Sequence, residues 1–273
     1  MQHSLMEIEQ LFKKSWDNYK PRAGVLAGGM CVYVPVMLVL SAIAVCIGLF
    51  YSKGFNTTAP ELMLTNFIPV LFVLGVIILA GLFIGPWISS YQYGVADSEI
   101  PVGFGVAIRL GFKNYARMLG LALVRFAMIV IPIAFVVGFF MILGHPVLAM
   151  IAGIVVGLLV GVAQQWFGFA NVLIVRGMGV WEALVHSARI TNTRWWGILF
   201  RRILAMVLIS AVQFVGRIGL QMSLLFVARP ILAIVLGIIF TVPLFLIYVF
   251  VCVPWLIMFN KTLFDDVTNS LTV

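Results

Sequence analysis

Acidic residues are scarce in this chain. Only nine Asp and Glu occur in 273 residues, and charged residues of both signs make up 10%. A soluble domain carries about a quarter. So few charges cannot cover a water-facing surface of this size, and lipid must be the solvent over much of the length. The nine acids are Glu7, Glu9, Asp17, Glu61, Asp97, Glu99, Glu182, Asp265 and Asp266, and none falls inside a long apolar run. This speaks against an intramembrane protease, or a proton relay built on acids, because both place ionisable groups at depth. Histidine is equally thin: His3, His145 and His186 are scattered and unpaired. No HExxH or GxSxG motif and no metal-ligand spacing appears, so no catalytic residues, metal or cofactor are expected, and the chain reads as a non-enzyme. The three cysteines, Cys31, Cys46 and Cys252, form no CxxC and sit in apolar runs. They are expected as buried free thiols.

What the chain has is hydrophobic length. Apolar residues make up 63%, and mean hydropathy is +1.17. A bilayer core of about 30 Å needs roughly 20 apolar residues in a helix. Six such runs occur: 24–51, 67–88, 118–143, 147–175, 203–227 and 231–259. They are continuous rather than alternating, which excludes a transmembrane β-barrel, and lipid forces each to satisfy its own backbone as a helix. The expected fold is an all-α, polytopic bundle, a single membrane domain over 1–273. The first run is too long for a cleaved signal and follows a charged segment, so it is expected to stay as a span.

The net charge of +8 does not point to nucleic acid, because the basic residues cluster between apolar runs and read as topology signals and contacts to anionic lipid. Lys13, Lys14, Lys20, Arg22, Arg109, Lys113, Arg117, Arg176, Arg189, Arg194, Arg201, Arg202 and Lys261 fall on one side, against Lys53 and Arg229 on the other. This contrast of 13 to 2 puts both termini in the cytoplasm.

Three connections on that side are amphipathic. Over Leu5–Tyr19 the apolar positions are Leu5, Ile8, Leu11, Phe12 and Trp16. Over Val102–Tyr115 they are Val106, Ile108, Leu110 and Phe112. Over Trp181–Trp196 they are Trp181, Leu184, Val185 and Ala188. Each predicts a helix in the headgroup zone or, alternatively, a short helix packed on the bundle. Each also places an Asn (Asn18, Asn114, Asn192) near its end, then basic residues, then two spans. The chain therefore reads as three copies of one unit: surface helix, span out, span back.

The stretch Asn171–Trp196 carries a resemblance. An apolar span end, a short Gly turn at Gly179, Ala183 and Ser187 four apart on an amphipathic helix, Asn192, and Trp195 entering the next span resemble a motif of several bacterial polytopic inner-membrane families. These are the UPF0259 (YciC-like) proteins, the DUF975-type proteins, and the membrane domain attached to some glycerophosphodiester phosphodiesterases. Many relatives carry an acidic residue before the turn where this chain has Arg176. The resemblance implies a fold and a bacterial inner-membrane location but no activity, since no phosphodiesterase domain is attached.

The remaining polar signals lie at depth. Arg217 stands in the fifth run with Gln213 and Gln221 four residues to either side, and Gln164 and Gln165 stand in the middle of the fourth. Arg217 either snorkels outward or, with these amides, binds an anion, since a guanidinium makes forked hydrogen bonds to phosphate or carboxylate. Arg125 is placed to snorkel from the third run. Gly153, Gly157 and Gly161 form a close-packing stripe. Pro69, Pro86, Pro132, Pro146, Pro243 and Pro254 either kink spans or break them at a site. The leading expectation is binding or transport of a lipid or small anionic or amphiphilic solute, with membrane lipids as partners. The alternative is a structural or assembly factor acting through protein contacts in the bilayer.

Overall fold

In the computed structural model the chain is described over residues 5–52, 62–224 and 243–271, and these residues form helices joined by short turns, with no strand among them. In chain order the helices are α1 (Ile8–Tyr19), α2 (Ala23–Ser52), α3 (Leu62–Asp97), α4 (Phe104–Lys113), α5 (Tyr115–Ile142), α6 (Pro146–Ala163), α7 (Ala170–Val175), α8 (Val180–Thr193), α9 (Trp195–Leu224) and α10 (Val253–Asn269). A π-helical turn, Tyr248–Cys252, leads into α10. Among the described residues five segments are long and apolar enough to cross a membrane: Ile8–Leu40, Tyr115–Ile142, Pro146–Val175, Trp195–Val215 and Pro243–Asn269. The expected second span, 67–88, lies within the 36-residue α3. The chain is a multi-pass, all-α membrane protein. The expected order, a surface helix followed by two long limbs, occurs three times in the element sequence.

Several helices outrun the apolar stretches that announce them. α3 continues past Ile88 through Ser90, Tyr91 and Gln92, each at most 1% exposed. Protein rather than lipid surrounds this end, so polar side chains stay inside the helix by finding partners. Ser90 Oγ donates to the Leu110 carbonyl at 3.0 Å, and the Tyr91 hydroxyl donates to the Val25 carbonyl at 2.5 Å. Arg22, in the 3-10 turn that joins α1 to α2, donates to Ser98 O at 2.7 Å and ties the first unit to the α3–α4 turn.

The short helices pack on the bundle, and two of them turn their largest apolar residues outward. α1 buries Leu11, Ser15 and Tyr19, and Phe12 meets Trp255 and Phe259 of α10 at ring distances of 5.5 and 5.1 Å. In α4 the buried face is Ala107 and Gly111, while Phe112 is 66% exposed and Val106 half exposed. In α8 it is Ala183, Leu184, Ser187, Ile190 and Thr191, while Trp181 is 71% exposed and Val185 also points outward. Small side chains let helix backbones approach one another, and lipid-facing positions carry no penalty for bulk. The large residues therefore turn out and the small ones turn in.

The prolines do not break the limbs. Pro132 lies inside uninterrupted α5, and Pro146 occupies the first turn of α6, where a missing N–H costs nothing. Pro254 follows the π-helical turn Tyr248–Cys252, where the helical hydrogen-bond pattern shifts without ending the limb. Pro69 and Pro86 fall within α3. Gly153 of the stripe packs where a Cβ would lie 2.8 Å from Val137, a Cβ at Gly157 would lie 3.8 Å from Ile133, and nothing comes within 4 Å of one at Gly161, so the stripe meets α5 through its first two glycines. Cys31 is exposed and Cys252 half-buried, correcting the expectation of buried thiols: a thiol facing lipid loses nothing by exposure. The Cys46 side chain lies outside the described residues.

Candidate binding site

The fourth limb is interrupted. α6 ends at Ala163, a 3-10 turn follows over Gln164–Phe167, and α7 starts at Ala170. No proline stands there. The cause lies in partners from outside the limb, which supply what the lost helical bonds release. The Ser187 hydroxyl donates to Trp166 O at 2.8 Å and accepts from Phe169 N–H at 3.1 Å, and Thr191 Oγ1 donates to Trp166 O at 3.3 Å. Arg202 Nη1 donates to Gln165 O at 2.8 Å. Arg125 Nη2 donates to Phe167 O, and its Nη1 to Asn171 Oδ1 at 3.3 Å. Non-helical backbone at membrane depth persists only where protein covers it, and three helices cover this turn: α5, α8 and α9.

The motif behind the family resemblance thereby acquires a physical role. Ser187 is the residue that bridges the break. Ala183, fully buried one turn earlier on the same face, keeps α8 close to it. Trp195 stacks on Trp166 with ring centroids 4.3 Å apart and planes 16° from parallel. Gly179 caps α8, its N–H directed to Glu182 Oε2 at 3.4 Å, and Asn192 is exposed. The αL turn of this motif belongs to Gly177, with φ +103. It closes α7 through Gly177 N–H to Ile174 O and Met178 N–H to Leu173 O, the usual glycine-dependent helix end.

Two cations converge on the break. Arg202 sits in the second turn of α9, 4% exposed, its guanidinium 4.3 Å above the Phe169 ring. It lies so close to Gly168 that a Cβ there would fall 2.0 Å from Nη1. Its Nε and Nη2 meet no hydrogen-bond partner. Arg125 reaches the turn from α5 and keeps Nε unpartnered. Both were expected elsewhere, Arg202 among the charges of a loop and Arg125 at the interface. Neither joins an ion pair among the described residues. The four pairs there are Lys20–Asp17, Arg176–Asp97, Arg176–Asp265 and Lys261–Asp265.

Arg125 also lines a cavity of about 640 Å³ between α2, α3, α5 and α10. Its walls are apolar, with Met30, Ile78, Leu82, Phe126 and Ile129 among them. Its described polar residues are Arg125, Asn171, Gln92, Tyr93, Ser89 and Tyr33, and none among them is a carboxylate or an imidazole. The Gln92 amide nitrogen is buried without a partner. Ile78, Phe126 and Ile129 are themselves exposed, so the cavity opens sideways between α3 and α5.

The expected cluster around Arg217 is not what the described residues assemble. Gln164 and Gln165 both lie in the 3-10 turn, and Gln165 contributes its carbonyl rather than its side chain, to Arg202. Arg217 stands fifteen residues further along unbroken α9, about 22 Å at 1.5 Å per residue. It cannot share a level with that turn. The side chains of Arg217 and Gln221 lie outside the described residues. Gln213 is exposed, in a depression formed with Ser210, Ala211 and Phe214.

Below the break, α7 is held by charge. Arg176 bonds Asp97 of α3 at 2.8 Å and Asp265 of α10 at 2.9 Å, and lies 4.8 Å from the centre of the Phe264 ring. Burial alone would lower the Arg176 pKa. The hydrogen bonds and charges of Asp97 and Asp265 outweigh it and raise the pKa above the ordinary arginine value. Next to this group, Asp266 accepts from Met6 N–H, and Arg201 donates to Met6 O.

No protein-family model, characterised protein or solved structure matches the chain, so the functional reading rests on this geometry.

Proposed function

We propose that the protein is a non-catalytic membrane component that binds an amphiphilic solute in the cavity between α2, α3, α5 and α10. The observation that carries this reading is the composition of the cavity wall: a mostly apolar lining that includes Gln92, Tyr93 and the bonded pair Arg125 and Asn171. Ligand pockets combine a mostly apolar lining with a few convergent polar groups, and the sideways opening gives a lipid-borne molecule a route in. The described lining residues, none a carboxylate or imidazole, offer no general base of the usual kind, which supports binding or passage over chemistry. The discontinuous fourth limb supports the same reading, since transporters build sites from interrupted helices at depth.

The same proposal places both termini in the cytoplasm of a bacterial inner membrane, on the charge contrast of the connections, with membrane lipids as the partners. The family expectation drawn from the α7–α8 turn is part of it. Mass spectrometry of gently purified protein tests the binding claim. A discrete amphiphile at a fixed stoichiometry is expected. A stoichiometric protein partner with an empty cavity would instead favour an assembly factor and would sink this reading.

A further inference from the structure

The break carries a second hollow, which shares no described lining residue with the cavity between α2, α3, α5 and α10. It is a depression of about 470 Å³ lined by Ala163, Trp166, Phe167, Ala188, Arg189 and Asn192. Arg189 and Asn192 stand three residues apart on α8 and so share one of its faces, and both are exposed. Arg189 joins none of the four ion pairs among the described residues. The one acid of α8, Glu182, lies about two turns away and accepts from Gly179 N–H. On the other side of the depression Trp166 is fixed twice over. Ser187 and Thr191 hold its carbonyl, and Trp195 stacks on its ring.

The depression straddles a boundary. Beside it on α6, Leu158, Leu159 and Val162 are exposed; beside it on α8, Arg189, Asn192 and Thr193 are. Exposed apolar side chains belong to the hydrocarbon, basic ones to the headgroup zone, and Trp rings to the seam between them. A molecule in this hollow is therefore offered hydrogen-bond donors at one end and a lipid-facing helix at the other. A phospholipid fits both ends, and one of net negative charge answers a guanidinium that no acid neutralises.

We infer that the depression between the 3-10 turn and α8 is a binding site for one anionic phospholipid, whose phosphate accepts from Arg189 and Asn192 and whose chains lie along α6. The site does not depend on the proposed role of the cavity.

The full-length protein in a neutral detergent is mixed with phosphatidylglycerol or with phosphatidylcholine of the same acyl chains, and bound lipid is counted by native mass spectrometry. One equivalent of phosphatidylglycerol is expected, held about fivefold more tightly than phosphatidylcholine, which is what one basic residue contributes at an anionic surface. Arg189→Gln should remove that preference. Arg189 is exposed and outside the ion pairs, so this variant should fold as the native chain does. Arg109→Gln removes an equally exposed charge from α4, away from the depression, and should leave the preference in place. Ala188→Leu fills the hollow without altering charge and should lower retention of phosphatidylglycerol. The site is overturned if Arg189→Gln keeps the preference, if Arg109→Gln loses as much of it, or if Ala188→Leu retains the lipid as the native chain does. None of these substitutions touches the cavity between α2, α3, α5 and α10, so an amphiphile held there stays bound in all three variants and the two readings fail separately.

Discussion

Replacing Ser187 with alanine removes one oxygen from the centre of the interrupted limb. That oxygen accepts from Phe169 N–H at 3.1 Å and donates to Trp166 O at 2.8 Å. Phe169 is fully buried, so its N–H is left with neither protein nor water, at about 1–3 kcal/mol. Trp166 O retains Thr191 at 3.3 Å, so loss of its better bond adds only about 0.5–1.5 kcal/mol. The expected total is about 1.5–4.5 kcal/mol. At about 2–4 °C per kcal/mol for a chain near this size, the thermal midpoint in detergent should fall by at least about 3 °C. Amide exchange should quicken at 169–173. Ser15→Ala is the matched control. Ser15 is equally buried, but its hydroxyl only returns to Phe12 O in its own helix, an interaction that adds little. The reasoning fails if Ser187→Ala melts within about 1 °C of the native protein, or if the Ser15 variant is as damaged.

Gly177→Ala should cost about 1–3 kcal/mol, because φ +103 is strained for any side chain, whereas Gly179→Ala, at φ −68 with open space around it, should melt close to the native protein. In intact cells an impermeant thiol reagent should modify Asn56→Cys and Pro146→Cys but reach Lys113→Cys and Arg189→Cys only after permeabilisation; Asn56 lies outside the described residues, and labelling at 113 but not at 56 would invert the proposed topology.

The sequence announces where the helices lie better than which small residues make their contacts. Runs of about 20 apolar residues locate the limbs because lipid tolerates little else. The amphipathic spacing of α1, α4 and α8 locates the short helices equally well. In α4 and α8 the large apolar residues face outward for a physical reason. The largest apolar residues mark the buried face in water, but in a bilayer they are at home on the outside, and Ala107, Gly111, Ala183 and Ser187 mark the inside. The candidate site was half visible. Gln164 and Gln165 flag the level of the break, yet the amide side chains are not what matters there. Arg202 was hidden by its neighbour, since adjacent helical positions point about 100° apart. Arg201 turns to Met6 O while Arg202 turns into the core. A Gly between aromatic residues opposite an Arg pair, as at Gly168, was the available signal.

The break also divides the fourth limb into halves that live in different surroundings. In α7, Ala170, Val172, Leu173 and Ile174 are all buried among neighbouring helices, whereas in α6 only Ala149 is. α5 is alike: its buried residues, Met118 and Leu121, sit at the end near α4, and Ile131, Phe135 and Ile142 project outward. Among the described residues the limbs form a compact block below the break, and above it α5 and α6 pack chiefly on each other. The two leaflets of the bilayer therefore meet different objects. Changes of thickness or acyl order in the leaflet around α5 and α6 act on a pair of helices joined mainly to each other. The same changes in the opposite leaflet push against a packed solid.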